Sequence, residues 1–303
     1  MTRELYIRAK VPYLFGRSNL GEWPKRSKES FVDVDLARLK EDVAQITYFG
    51  HRTVYIQVEG ARLMTDPVLA KRLMSGGIGV KRVSNKMYKY WELPPADILL
   101  ISNNSYDCLD TWTLRIISDQ GGALAVGGRR ISRYLNMFFK RYTYPLLWYE
   151  SVNFGCVEIT FLPAMSETRR KLLSCGIDRN RMLWGGFLIR SDTKTIFYAG
   201  KTAFSEHFDD IRRYIAEKGY SIDLSLLPIG PICGHGRNMS PEDAVKAHEL
   251  LGSDKSLIIA HDTFPLGVEA FGELKDRLLK EASSRGISDK FIFLREGETL
   301  CLD

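Results

Sequence analysis

Asp107 and Cys108 stand side by side after the polar run Ser102-Asn103-Asn104-Ser105-Tyr106, which itself follows the apolar run Ile98-Leu99-Leu100-Ile101. A carboxylate and a thiolate are both metal ligands, so this pair has the chemistry to hold a soft divalent ion. Without histidines beside them, the same two residues more often mean a buried polar aspartate and an ordinary small apolar cysteine. Farther along, Cys233-Gly234-His235-Gly236 places a thiol two residues from an imidazole in a glycine-flanked loop. An imidazole that takes the thiol proton creates a nucleophile, yet the sequence supplies no third group to orient the base. His261-Asp262 puts another imidazole next to a carboxylate. His248, on a predicted helix, is expected to pack or cap. The glycine pairs Gly76-Gly77, Gly121-Gly122, Gly127-Gly128 and Gly185-Gly186 lack the lysine and hydroxyl of a phosphate cradle and read as turns.

These groups need elements to hold them. Residues 46–49, 53–58 and 61–64 are short β-rich runs broken by Gly50 and by Glu59-Gly60, as antiparallel strands are, and Asp66-Pro67 ends the third. Residues 97–102 form a continuous apolar run suited to a central strand covered on both faces. A helix over 111–118, a strand over 123–126 and a helix over 131–139 follow. Strands are expected again over 157–162, 183–190 and 195–199, then a helix over 209–218 with Gly219 as its stop. A strand over 224–229, a helix opened by Ser240-Pro241-Glu242-Asp243, a strand over 256–260 and a helix over 271–285 complete the pattern. The two halves are organised alike, each a meander followed by strand-helix units. Residues 1–33 carry Pro12, Gly16, Gly21 and Pro24 among many charges and are expected to form an arm packed over a domain of residues 34–303 by Tyr6, Tyr13, Phe15, Trp23 and Phe31.

The chain of 303 residues is 45% apolar, and no stretch approaches the roughly 20 uninterrupted apolar residues of a membrane helix. The start, Met1-Thr2-Arg3-Glu4-Leu5, shows no apolar core of signal-peptide length. Five cysteines without paired spacing argue against a disulfide framework or zinc ribbon, and a reducing, cytoplasmic location is the expectation. The net charge of +6 gathers at Lys25-Arg26, Arg129-Arg130 with Arg133, Lys140-Arg141 and Arg169-Arg170-Lys171. Such an excess favours anionic partners in general without choosing among nucleic acid, phospholipid head groups and acidic protein. Arg133-Tyr134 and Phe138-Phe139-Lys140-Arg141-Tyr142 suit either base stacking, a membrane surface or a helix packed on the domain.

Taken together, these runs resemble a known family. An apolar strand entering His-x-His-x-Asp-His is the metal-binding signature of the metallo-β-lactamase fold, and Ile98 to Cys108 resembles it with Asn103, Ser105 and Cys108 at the histidine positions and Asp107 retained. More narrowly, the sequence is similar to the branch typified by N-acylphosphatidylethanolamine-hydrolysing phospholipase D. Gly50-His51-Arg52-Thr53-Val54 leading to Thr65-Asp66-Pro67, Leu93-Pro94-Pro95-Ala96-Asp97, Leu162-Pro163-Ala164, Leu183-Trp184-Gly185-Gly186 and Tyr198-Ala199-Gly200 match its motifs in order. Leu226-Leu227-Pro228-Ile229-Gly230, Ser240-Pro241-Glu242-Asp243-Ala244-Val245 and Thr263-Phe264-Pro265-Leu266 continue the match, which runs from Ile46 to the closing 291–300 segment.

The resemblance implies an α/β fold, the four-layer αββα sandwich. In active relatives two divalent metals hold a hydroxide that attacks a phosphodiester or ester, with histidine and aspartate ligands suited to zinc. Carried onto this chain, the remaining ligand positions fall on Ser166, Lys201 and Ala260, so each histidine is replaced and the bridging carboxylate has become a cation. Asn and Ser are poor substitutes for imidazole, and an ammonium within the ligand shell repels a divalent cation by several kcal/mol. Lys201 is therefore expected to pair with Asp107. His261 lies one residue beyond a lost ligand, but a one-residue shift on a strand reverses the direction of its side chains. His51, Asp66, Cys233, His235 and His261 are candidate groove residues, and no residue is assigned a catalytic role. The expected protein is a catalytically degenerate binding or scaffolding protein without a cofactor. Its expected partners are a lipid-like or phosphate-bearing ligand in the old groove, or another subunit, a homo-oligomer included. The alternatives are a metal-dependent hydrolase acting on ester or phosphodiester bonds through a remodelled zinc or other divalent centre, and a nucleic-acid-binding protein on an inactive scaffold.

Overall fold

The computed structural model describes residues 21–25, 27, 31–35, 37, 39, 43–73, 79–84, 86, 88, 93–139, 142–168, 180–232 and 238–302. Alternation of apolar residues at period 2 gives two sheets of seven strands each among these residues. The first contains β1 (Gln45–Gly50), β2 (Thr53–Val58), β3 (Ala61–Thr65), β4 (Ile98–Ile101), β5 (Leu124–Gly128) and β6 (Thr143–Leu146) in that order, with the closing β14 (Thr299–Cys301) beside β1. The second runs β7 (Ser151–Phe154), β8 (Val157–Leu162), β9 (Gly186–Arg190), β10 (Thr195–Tyr198), β11 (Leu224–Pro228), β12 (Lys255–Ile259) and β13 (Phe291–Ile292). In each sheet an antiparallel meander joins a parallel set: β3 to β6 in the first, β10 to β13 in the second.

Three layers of apolar contact make this a four-layer αββα sandwich. Between the sheets, Val54, Ile56 and Val58 of β2 and Ile98 and Leu100 of β4 meet Leu224 and Leu226 of β11 and Leu257 and Ile259 of β12. The alternate residues, Tyr55, Leu99 and Ile101, pack on α1 (Thr111–Asp119) and α2 (Ser132–Phe139) through Leu114, Ile117 and Leu135. Leu227 and Ile258 do the same against α3 (His207–Glu217), α4 (Pro241–Leu251) and α5 (Glu273–Ser284). Each such side chain taken from water contributes about 1.5–3 kcal/mol before chain entropy is counted. Strand β4 is buried at every position, which explains its unbroken apolar run.

Helix ends follow local chemistry. Ser240 accepts a hydrogen bond from the Asp243 amide at 3.1 Å, with Pro241 in the first turn, so α4 starts where the sequence puts it. Helix α3 spans His207–Glu217 and is followed by Gly219 at φ 69°, the left-handed stop expected there. Two parts of the sequence reading need correction. The strand expected over 183–190 begins only at Gly186, because the Leu183 amide bonds Arg129 O at 3.0 Å and the Gly185 amide bonds Ser102 O at 3.2 Å, tying this stretch to the opposite sheet. Strands β6 and β7 were not foreseen. Pro145 in β6 is tolerated because that strand is the last of its sheet.

Of the N-terminal arm, residues 1–20 lie outside the described residues. Gly21 N reaches Val268 O at 3.1 Å, Trp23 Nε1 donates to Glu269 O at 2.8 Å, and Val32 N bonds Glu296 O at 2.7 Å. No described helix is long and apolar enough to cross a membrane.

Candidate functional site

The ends of β4 and β10 bring the two sheets together. A Cβ on Gly200 would lie 2.6 Å from Ser102 Cβ and 2.7 Å from Gly185 O, at φ 69°, so only glycine allows this approach. The next residue, Lys201, is thereby carried to the loop that follows β4. Its ammonium lies 2.9 Å from Asp107 Oδ1, 3.1 Å from Oδ2 and 3.2 Å from Ser105 Oγ. The pairing expected from the sequence is present in the geometry.

Asp107 has a second cation that sequence reasoning missed. Arg52, in the tight turn between β1 and β2, donates from Nη1 to Asp107 Oδ2 at 2.9 Å and from Nη2 to Gly230 O at 2.9 Å. Its side chain is 0% exposed and that of Asp107 1%, while Lys201 is 13% exposed. Burial alone would raise the Asp107 carboxyl; the Lys201 ammonium and the Arg52 guanidinium outweigh it and hold the group well below the usual carboxylate range. Arg52 Nη1 also meets His51 Nε2 at 2.6 Å. A guanidinium can only donate, so Nε2 is the acceptor and the proton of a neutral ring sits on Nδ1. Burial, then the Arg52 charge, lowers His51 to about 4, which keeps it neutral at pH 7. The signal for Arg52 was its place: a charge in a two-residue turn between two strands buried throughout.

The other ligand-equivalent positions are tied into the protein. Asn103 Nδ2 donates to Glu167 O at 3.0 Å and to Ser166 Oγ at 3.4 Å, and Asn103 Oδ1 accepts from the Ser105 amide at 3.0 Å. Cys108 is fully buried, and burial pushes its thiol well up, so it is held as the protonated thiol rather than a thiolate. Ala260 has φ 62° and its amide bonds His51 O at 2.7 Å. Asp66 sits behind this layer, accepting from Ser102 N at 2.7 Å, Ser102 Oγ at 2.5 Å and Tyr198 OH at 2.6 Å. Burial raises its carboxyl to about 6 against those hydrogen bonds.

The remaining candidates are elsewhere. His261 has Asp262, Tyr48 and Phe293 as side-chain partners, a set separate from Asp107, Lys201 and Ser105. Cys233 and His235 lie outside the described residues. His248 packs on Phe291 and bonds Ser256 Oγ at 2.8 Å, the packing role expected. Arg129, Arg130 and Arg133 are exposed, and residues 26, 140–141 and 169–171 fall outside the described set. Among the described residues, no group of three or more His, Cys, Asp or Glu is placed to hold a metal ion.

The buried titrating groups predict a pH dependence. His51 and His207 both fall to about 4, in each case first through burial, from an unfolded value near 6.5. Their folded values are depressed, so the unfolded chain binds more protons between pH 4 and 6.5, and stability present above 6.5 is lost as pH falls. Asp66, raised to about 6, acts in the opposite sense. From pH 7 to 5 each histidine removes about 2 kcal/mol and Asp66 returns about 1, a net loss of about 2 to 3 kcal/mol. Urea unfolding at both pH values checks this. The His207→Gln variant is expected to lose about 2 kcal/mol less than the parent over the same interval; an unchanged pH dependence would refute the assignment.

The two seven-stranded sheets meet at this polar layer in an αββα sandwich, the architecture of the metallo-β-lactamase fold, and sequence comparison agrees. The beta-lactamase superfamily domain matches residues 61–261, and the chain belongs to that superfamily. It falls in the branch typified by N-acyl-phosphatidylethanolamine-hydrolysing phospholipase D. The chain is 29% identical over 267 residues to the mitochondrial enzyme of that name from Saccharomyces cerevisiae, a match covering 85% of this chain and 56% of the yeast protein. It is 27% identical to the Caenorhabditis elegans phospholipase D 1 of the same specificity, with 79% of this chain and 70% of that one covered. The chain thus spans little more than half the length of the yeast relative. Among solved structures, Igni18, a metallo hydrolase from the archaeon Ignicoccus hospitalis, superposes with a TM-score of 0.62 at 21% identity, covering 86% of this chain and 99% of that one.

Proposed function

We propose that this chain is a catalytically degenerate member of its family, a binding or scaffolding protein in which an internal ion-pair network occupies the place of the dinuclear metal centre. The observation that carries this reading is the Lys201 ammonium at 2.9 Å from Asp107 Oδ1, with Arg52 at 2.9 Å from Oδ2. Both carboxylate oxygens are engaged by fixed cations. A divalent ion would need a negative and neutral donor set at 2.0–2.3 Å, whereas here it would meet an ammonium, an amide, two hydroxyls, a buried thiol and an alanine methyl. The donor set does not fit the metal.

The relatives' names, which describe phospholipid-hydrolysing enzymes, favour a second reading: a hydrolase for ester or phosphodiester bonds with a remodelled centre. Metal content separates the two. Protein purified without chelator or affinity metal, and again after incubation with zinc, manganese or iron followed by desalting, is expected to carry substoichiometric metal and to leave bis(p-nitrophenyl) phosphate intact. Stoichiometric, tightly held metal with turnover of that ester would overturn the degenerate reading. A variant carrying Asn103→His, Ser105→His, Cys108→His, Ser166→His, Lys201→Asp and Ala260→His supplies the positive control for metal uptake.

A further inference from the structure

Most of the large apolar side chains left in solvent among the described residues stand along one edge of the sandwich. They are Met137 on α2, 77% exposed, Tyr142 and Tyr144 at β6, Leu147 and Trp148 in the turn that leads to β7, 44% and 39% exposed, and Met165 after β8. Hydrogen bonds beneath them make the surface continuous. The Arg129 amide bonds Leu146 O at 2.8 Å, Trp148 Nε1 donates to Trp184 O at 2.8 Å, and Trp184 Nε1 donates to Ala164 O at 2.8 Å, next to Met165. The turn is fixed by Glu150, whose Oε2 accepts from the Leu147 amide at 2.7 Å and whose own amide bonds Leu147 O at 3.1 Å. Leu147 and Trp148 are therefore held outward, and a contiguous apolar surface of this kind marks an interaction site.

Four arginines line the same edge. Arg129 and Arg130 stand in the turn between β5 and α2, Arg133 lies on α2 one helical turn before Met137, and Arg130 Nη1 reaches Arg181 O at 3.5 Å. All four are exposed, and among the described residues none has a carboxylate at ion-pair distance. The acid of the turn, Glu150, is committed to the Leu147 amide.

This combination selects its occupant. A second copy docking by a two-fold axis would set arginines against arginines. A nucleic acid would answer the arginines and the rings, but Met137, Leu147 and Met165 offer a base neither a stacking plane nor a hydrogen bond. A lipid surface satisfies every part: aliphatic side chains enter the acyl boundary, Trp and Tyr suit the head-group level, and arginines meet anionic phosphates. We infer that this edge is a docking surface for an anionic phospholipid bilayer, with Leu147 and Trp148 inserted and Arg129, Arg130, Arg133 and Arg181 on the lipid phosphates. The contact is peripheral, since no described helix is long and apolar enough to cross a membrane. The Met165 amide bonds Thr202 Oγ1 at 3.0 Å, so the surface borders the Lys201 layer, yet the inference holds whether or not that layer takes metal.

The probe is a vesicle of phosphatidylcholine and phosphatidylglycerol in equal parts, co-sedimented with the full chain and compared with pure phosphatidylcholine. Binding to the mixed vesicle alone is expected, with tryptophan fluorescence quenched by brominated acyl chains and the quenching much reduced in Trp148→Phe. Arg130→Gln with Arg133→Gln and Arg181→Gln is expected to weaken binding about a hundredfold, about fivefold for each charge near an anionic surface. Leu147→Ser with Met137→Ser, both exposed positions, is expected to weaken it about tenfold. Lys218→Gln with Lys255→Gln and Lys280→Gln removes the same charge from exposed positions on elements of the other sheet, and is expected to change binding by less than about twofold. Circular dichroism confirms that each variant is folded. No binding to the mixed vesicle, binding without quenching, or equal losses in the two triple variants would overturn the inference. So would a dimer that Leu147→Ser dissolves, or patch-dependent binding of a single-stranded oligonucleotide in place of vesicles, each of which would assign the edge to another occupant.

Discussion

Replacing Asp107 with alanine is expected to cost about 3–5 kcal/mol of folding stability, the penalty for leaving buried charge without its partner. The effect belongs at the upper end of that range because two cations lose their counterion at once: Arg52, fully buried, and Lys201, 13% exposed. Lys201→Met is expected to cost much less, since Asp107 keeps the Arg52 guanidinium at 2.9 Å. The decisive comparison is the double variant. Asp107→Leu with Lys201→Met removes one cation together with the anion, and it is expected to be more stable than Asp107→Leu alone by about 1–3 kcal/mol, the coupling characteristic of residues in one network. Urea denaturation with an unchanged slope reads the parent and the four variants. Additivity within a few tenths of a kcal/mol would show that the pair contributes nothing to the fold.

The other large effect is expected at Glu296. Its Oε2 lies 3.0 Å from Arg82 Nη1 and its Oε1 accepts from Tyr88 OH at 2.9 Å, and the two charged side chains are 5% and 0% exposed. Arg82 also donates to Phe49 O at 3.0 Å and Val68 O at 2.5 Å, so it joins β1 to the chain that follows β3. Glu296→Ala strands that guanidinium and is expected to cost about 3–5 kcal/mol, whereas Arg82→Met with Glu296→Leu, which exchanges the whole pair for apolar groups, is expected to recover much of it. Equal losses in the single and double variants would place the contribution in packing rather than in charge. Thermal unfolding followed by circular dichroism is sufficient to rank them.

The sequence made the architecture legible because burial leaves a periodic trace. Residues 98–101 are apolar at every position because both faces of β4 are covered, one by the opposite sheet and the other by helices, and the same double covering makes residues 257–259 of β12 a continuous apolar run. Ser240 and Gly219 announced the ends of helices through the chemistry of their side chains and backbones. Edge strands left no such trace. Ser151–Phe154 is partly or fully exposed at each position, so solvent rather than the core chose its residues. The site was legible in half. Lys201 could be placed opposite Asp107 from aligned motifs alone, yet Arg52 and Arg82 look in sequence like surface charges, and only the three-dimensional arrangement shows each enclosed with a carboxylate. The surroundings of His261 are not legible along the chain, since its neighbours Tyr48 and Phe293 come from sequence positions more than 30 residues away.

The cation facing Asp107 is covalently part of the polypeptide, reaching it from the loop that Gly200 brings against Ser102. A counterion drawn from solution has a concentration that rises and falls with the supply, and its departure leaves the carboxylate exposed to protonation or misfolding. An ammonium on residue 201 leaves the ribosome in a fixed ratio of one per chain and is never diluted. The charge balance of this layer is consequently set during synthesis, and the protein's conformational stability is expected to be the same in metal-starved and metal-replete surroundings.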